Sequence, residues 1–423
     1  MVKSLIKKIL NKNIQYNLLS LVNVFVGFLF ILYLGRKFGA GNETDIYFLS
    51  MVVIGYLGYL VQAVWEAMSP YYIELKIKDK AQSDKMYSIL INNLILVALV
   101  IICMYFIFTS WFDLLSLEQK AFLNVFIFYL LLQNILIFNK TILNLEHFYA
   151  SYYLVDIFIY FVLFVTVIFF ISNHQIIYIA FATLFGTFLA IIWQFYTIRN
   201  KLNIHYSILL YDSKLLEIYK NSFKLKLGSL LYGSKDIVIA SVFTSFGSGM
   251  YSLYSYANKF IGVILQVVNA PIVNIFATKA NYYVANNRCD LLKKDIKKIL
   301  FQTITLFILF AGLTYYILPY FLPYLFGYKF TNENIMIIQF IFLLMSMFSF
   351  IIVVQSPFGR LLVIFKQFNQ TIIVNIIFAN IIVLLYVIFM FSNLNYSFFL
   401  QGLIFTQLIQ SLFIFYYLKK VFK

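Results

Sequence analysis

Apolar runs of membrane-spanning length recur twelve times along this chain, and they limit its fold more than any motif does. They cover residues 14–34, 46–69, 87–110, 121–139, 152–171 and 176–197, then 227–246, 251–275, 299–318, 335–355, 371–391 and 398–418. A helix that crosses the hydrocarbon core takes about 20 residues, so each run is long enough for one span. Composition agrees: of 423 residues, 63% are hydrophobic and only 11% charged, against about 25% charged in a soluble domain. Forty-nine Phe and 34 Tyr cannot be kept in water by so few charges. That excludes a soluble enzyme, a nucleic-acid-binding domain and a disordered tail. The expected fold is an all-α polytopic membrane protein of about 12 transmembrane helices in two six-helix halves.

The net charge of +16 reads as topology rather than as affinity for nucleic acid. With the N-terminus inside, the cytoplasmic segments hold 26 of the 32 Lys and Arg residues and the outer loops hold four. Basic residues collect on the cytoplasmic side, and one missed span would invert every later loop. Both termini are therefore expected in the cytoplasm. The run 14–34 is too long for a signal-peptide core and is retained as the first span. The organisation is a cytoplasmic amphipathic segment (1–12), an N-terminal six-helix half (13–198), an amphipathic linker (199–226), a C-terminal half (227–418) and a short tail (419–423). Residues 1–12 and 203–226 both read as interfacial helices on anionic headgroups. Cys103 and Cys289 are expected to be unbridged.

Within this layout Phe38-Gly39-Ala40-Gly41 joins spans one and two, and Phe246-Gly247-Ser248-Gly249 joins spans seven and eight. Matching turns at matching places suggest a duplicated transporter, whose halves are related by an axis along the membrane normal. Pro271 lies inside span eight and predicts a kink.

Ionisable residues inside the membrane are costly and are candidate functional groups. Lys235 and Asp236 lie at mid-depth in span seven, about 15 Å from its cytoplasmic end at 1.5 Å per residue; Lys259 lies at similar depth in span eight. Adjacent helix positions diverge by about 100°. Two readings follow: Asp236 pairs with Lys259 across helices, or at least one lysine faces a solvated cavity and attracts an anion. Arg36 and Asp45 could pair at the outer rim. Glu66 and Asp156, near cytoplasmic helix ends, suit helix-end or gate-like contacts. His147, His174 and His205 lack metal-ligand spacing, and there is no phosphate-binding glycine loop. Energy, where needed, would come from an ion gradient or the membrane potential; no cofactor is called for, and the coupling cation would be sodium or a proton. Glu43-Thr44-Asp45 also fits a metal-binding pair of a membrane glycosyltransferase, but the outer loops are too short to hold acceptors.

The stretch Gly35-Arg36-Lys37-Phe38-Gly39-Ala40-Gly41-Asn42-Glu43-Thr44-Asp45-Ile46-Tyr47-Phe48 resembles the start of the MviN/MurJ lipid II flippases of the MOP (multidrug/oligosaccharidyl-lipid/polysaccharide) exporter superfamily. Tyr256-Ala257-Asn258-Lys259 is similar to the family's Tyr-Ala-Asp-Arg motif. The resemblance implies a MATE-like bundle with a central cavity, working by alternating access on a polyprenyl-diphosphate-linked saccharide, as a transporter and not an enzyme. It implies that Lys259 stands at a cavity arginine, that Asn258 replaces an aspartate and that Asp45 matches an important acid. Lys235 and Arg36 join Lys259 and Asn258 as the expected substrate-binding set. Asp45, Glu66, Asp236 and Asp156 are the expected gating or ion-coupling set. Tyr254, Asn269, Asn375 and Asn380 are further candidates to meet sugars. The family's Arg-Asp pair in span one falls on Phe30-Ile31, and the two additional C-terminal spans usual in lipid II flippases are not in this sequence. Both departures resemble the Wzx-type flippases of O-antigen, capsule or similar repeat units, the leading expectation, with lipid II second and drug export third. Expected partners are an undecaprenyl-diphosphate-linked glycan, membrane lipids and glycan polymerase machinery, with no nucleic acid.

Overall fold

The computed structural model describes residues 2–112, 116–169, 176–285, 288–365, 367–392 and 394–421. Fourteen α-helices carry these residues: α1 (Val2–Phe38), α2 (Asn42–Gln62), α3 (Met68–Lys78), α4 (Lys80–Trp111), α5 (Leu117–Phe126), α6 (Phe128–Leu145), α7 (Tyr149–Phe169), α8 (Ile177–Leu202), α9 (Leu216–Thr244), α10 (Met250–Ala285), α11 (Cys289–Phe326), α12 (Asn332–Ile364), α13 (Phe368–Phe391) and α14 (Tyr396–Val421). Among the described residues, ten helical runs are long and apolar enough to cross a membrane, with α5 and α6 counted as one run. Helices α9 and α10 are long enough but carry internal lysines, Lys235 on α9 and Lys259 on α10. This is a polytopic all-α membrane protein. Its helices expose large apolar side chains such as Phe391, Trp111 and Tyr324, which suits lipid as the surrounding solvent.

The chain forms two compact units, residues 1–34 with 49–227, and residues 35–48 with 228–423. In the first, α8 packs on α5, α6 and α7, and α4 packs on α3 and α6. Phe30 of α1 is fully buried against Tyr160 and Phe164 of α7. In the second, α10 packs on α11 and α12, and α12 on α13 and α14. One core cluster there gathers Phe276, Leu292, Leu361, Val374 and Leu418. Helix α10 continues through residue 271.

The amphipathic reading of 203–226 needs correction. Asn203 takes the left-handed conformation (φ 52°) and ends α8, as a C-terminal cap does. Helix resumes only at 213–215 and α9. Non-helical backbone must find partners, and α4 supplies them. The Asn92 amide donates to the carbonyls of Ser207 and Leu209 (3.1 and 2.8 Å), and Asn93 donates to Leu210 (3.0 Å). Ser88 accepts from the Ser207 amide at 3.1 Å. Polar side chains one helical turn apart thus hold a non-helical strap, which periodicity alone reads as a helix. Nearby, the buried Tyr72 of α3 donates to Glu146 at 2.9 Å. Burial, then the Glu146 charge, push the Tyr72 hydroxyl well above the usual tyrosine range, so it remains a donor.

Candidate functional site

The expected site residues separate into three arrangements. The first is structural in geometry. Gly39 and Gly247 both take positive φ (77° and 107°), so each glycine turn has a positive-φ glycine as its second residue. Thr44 donates to the turn carbonyls of Gly41 (3.0 Å) and Gly39 (3.2 Å). Asp45 is buried and accepts from the backbone N–H of Gly249 (2.6 Å) and Ser252 (2.7 Å) and from the Ser252 hydroxyl (2.5 Å). These donors lie at the start of α10, where N–H groups lack intrahelical acceptors, and a carboxylate also complements the helix dipole. Tyr256 adds a bond to the Gly39 carbonyl at 3.1 Å. Asp45 therefore ties the first glycine turn to the helix that follows the second. The rim pair with Arg36 does not form; Arg36 is exposed.

The second arrangement lies in the N-terminal unit and puts both expected acids into ion pairs. Asp156 Oδ2 accepts from Lys140 at 2.6 Å and from Asn23 at 2.8 Å, and Lys140 also lies 4.4 Å from the centroid of the Tyr152 ring. Glu66 pairs with Lys226 at 3.1 Å; Lys226 is buried and donates to Gln62 at 2.8 Å. Helix α2 ends at Gln62, and the turn that carries Glu66 is held by the Ala67 N–H donating to Ser222 at 2.9 Å. Lys140, Asn23 and Lys226 were not singled out from sequence. Their spacing to the acids (133 residues for Asn23) carries no local signal.

The third arrangement lies in the C-terminal unit. Lys235 pairs with its own neighbour, Asp236, at 2.7 Å, and not through a bridge from Asp236 to Lys259. A lysine stem is long enough to fold back over one residue, which the 100° separation of Cβ directions leaves out of account. Lys235 also lies 4.7 Å from the centroid of Tyr232. Lys259 and Asn258 are exposed neighbours on α10, and Lys259 forms no ion pair among the described residues.

Tyr232 lines a cavity of about 230 Å³, with Gln355, Ser356, Gly359, Asn375, Gln407 and Gln410 among its walls. These amides form one network. Gln407 donates to Gln355 (2.6 Å) and Gln410 (2.8 Å), Gln410 donates to Asn375 (3.0 Å), and Asn375 donates to the Gly228 carbonyl (3.2 Å). Ser411 donates to Gln355 at 2.7 Å. Gln407 Oε1 is buried with no protein partner among the described residues. Of the sugar candidates, Asn375 reaches this cavity and Asn269 donates to Ser356 at 3.4 Å. Tyr254 is instead buried against Phe243, and Asn380 is exposed. Gln407, Gln410 and Ser411 recur at i, i+3 and i+4 in an apolar run, a signal that could have placed them on one helix face.

The lipid II flippase MurJ family profile matches residues 34–317, about two thirds of the chain. The chain belongs to the MurJ family. It is thus a membrane transporter of the MOP type and not an enzyme. No curated protein gives a significant sequence match. Among solved structures, a lipid II flippase MurJ in an inward closed conformation is similar at TM-score 0.77 and 16% identity, covering 96% of this chain and 87% of that one. An inward-facing multidrug resistance MATE transporter of the MOP superfamily is similar at TM-score 0.73 and 12% identity, with 93% of each chain covered. A MOP superfamily transporter from Pyrococcus furiosus is similar at TM-score 0.66 and 14% identity, covering 96% and 94%. These identities establish the fold; the family match carries the rest.

Proposed function

We propose that this protein moves lipid II, a polyprenyl-diphosphate-linked saccharide, from the cytoplasmic to the outer leaflet of a bacterial inner membrane. The observation that carries the reading is the MurJ family match over residues 34–317. It reverses the order expected from sequence, where a surface-glycan repeat unit came first. A diphosphate and a set of hydroxyls cannot cross hydrocarbon unaided, because each desolvated polar group costs several kcal/mol. Lys259, exposed without an ion-pair partner, and Lys235 supply cationic point charges for the diphosphate. Alternating access driven by a sodium or proton gradient would complete the cycle.

One observation favours a surface-glycan repeat unit as the second reading. Phe30 and Ile31, at the place of the family's charged pair, are buried, with Phe30 packed on Tyr160 and Phe164. Mass spectrometry of undecaprenyl-linked lipids after depletion of the protein separates the two. Build-up of lipid II supports the first reading, and build-up of a surface-glycan unit with normal lipid II supports the second. Build-up of neither removes both.

A further inference from the structure

The amide-lined cavity of the C-terminal unit has a chemistry that diphosphate binding does not use. Its named polar walls, Gln355, Ser356, Thr371, Asn375, Gln407 and Gln410, are uncharged. Carboxamides present donors and acceptors side by side, the complement of a ligand that offers both. A cation takes acceptors alone, and among the described residues no carboxylate lines the cavity. A lipid tail takes none, whereas the side-chain NH2 groups of Gln355, Gln410 and Asn375 each make one bond among the described residues and keep a second donor that a tail could not use. At about 30 Å³ per liquid water, 230 Å³ corresponds to roughly eight waters. It also falls below the roughly 300 Å³ at which pockets begin to hold drug-sized ligands. The room suits one small ring.

Two further features point the same way. Gln407 lines the cavity and bonds both Gln355 and Gln410, so a ring seated there would meet amides already held in place. Tyr232 is shared between the cavity wall and the ammonium of Lys235, 4.7 Å from its ring. A neutral ring in the cavity would therefore sit one aromatic side chain away from a cation.

We propose that this cavity is a sugar subsite, taking one neutral pyranose ring of a diphosphate-linked saccharide through Gln355, Gln407, Gln410 and Asn375. Lys235 then stands near the diphosphate. The inference rests on the flippase reading and deepens it.

The test compares the binding of two lipids to the full-length, detergent-purified protein by native mass spectrometry: undecaprenyl diphosphate, and the same lipid bearing a single N-acetylhexosamine. Wild type is expected to prefer the sugar-bearing lipid. Gly359→Leu fills the cavity without removing a hydrogen bond, because nothing lies within 4 Å of a Cβ placed at Gly359. Gln407→Leu removes the central amide. Each is expected to weaken binding of the sugar-bearing lipid about tenfold while leaving undecaprenyl diphosphate bound as before. Equal loss for both lipids, or an unchanged preference in Gly359→Leu, overturns the subsite while the flippase reading stands. Sodium-dependent binding lost in Gln407→Leu, with no sugar preference, overturns it in favour of a cation site. Failure of wild type to bind either lipid removes the flippase reading and the subsite together.

Discussion

Asp45 shows how one carboxylate can serve structure where its sequence context suggests transport. Three donors from the start of α10 converge on it, so Asp45→Ala leaves buried N–H groups without an acceptor. At about 1–3 kcal/mol for each such group, the variant should lose roughly 3 kcal/mol. Asp45→Asn, which keeps one acceptor oxygen, should lose less. Melting of the detergent-purified protein checks the order. Asp156 makes a different prediction. The Lys140–Asp156 pair is half-buried, so removing one member should cost less than the roughly 3–5 kcal/mol of a fully buried pair, whereas replacing both by apolar groups is often neutral. Asp156→Ala should therefore destabilise by about 1–3 kcal/mol, and the double variant Lys140→Met/Asp156→Leu should recover most of it. A double variant as unstable as the single one would show that Lys140 is held by contacts other than Asp156.

At the scale of elements, the second glycine turn is sterically exact. A Cβ on Gly249 would come 2.5 Å from the Ala40 carbonyl oxygen, at a φ of +88°. Gly249→Ala should cost well over 1 kcal/mol by displacing the first turn from the start of α10. Gly262, inside α10 with open space around its Cβ position, is the control: Gly262→Ala should stabilise by about 0.5–1 kcal/mol through helix propensity. The two melting temperatures should move in opposite directions. The strap at 203–212 gives a second contrast. Its carbonyls depend on Asn92 and Asn93, so the variant Asn92→Leu/Asn93→Leu should expose it to limited proteolysis while the helices on either side stay protected.

For the molecule as a whole, the lysine and arginine bias makes an orientation with both termini in the cytoplasm the expectation to test. A cysteine placed at Ser116 should react with a membrane-impermeant maleimide in intact cells lacking an outer membrane barrier. One at Lys201 should react only after lysis. The reverse pattern would put both termini outside and would contradict the assignment of every loop.

The spans were legible because hydrocarbon selects for length and apolarity, which any stretch of about 20 residues declares without help from the rest of the chain. Helices α4 to α8 and α11 to α14 follow that local rule. The glycine turns, too, could be read from four residues each, since few residues other than glycine accept positive φ. The strap at 203–212 could not, because the partners that satisfy its non-helical backbone are on α4, more than a hundred positions earlier. The site residues divide along the same line. Lys235, Asp45, Glu66 and Asp156 stood out as charges in apolar surroundings, but their partners did not. Asp45 found backbone amides 204 and 207 positions away, Asp156 found Asn23, and Lys235 found its immediate neighbour.

The sequence by itself determined a multi-pass helical protein with a duplicated turn and a kinship to lipid-linked saccharide flippases. The first two are properties of composition and local pattern, and the third rests on the resemblance of residues 35–48 and 256–259 to a known family. Only the tertiary structure decided which charges are paired and that Gln355, Asn375, Gln407 and Gln410 enclose one cavity. Hydrogen bonds and ion pairs act over about 3 Å, and it is the packing of helices, not the spacing of residues along the chain, that brings such groups within that distance.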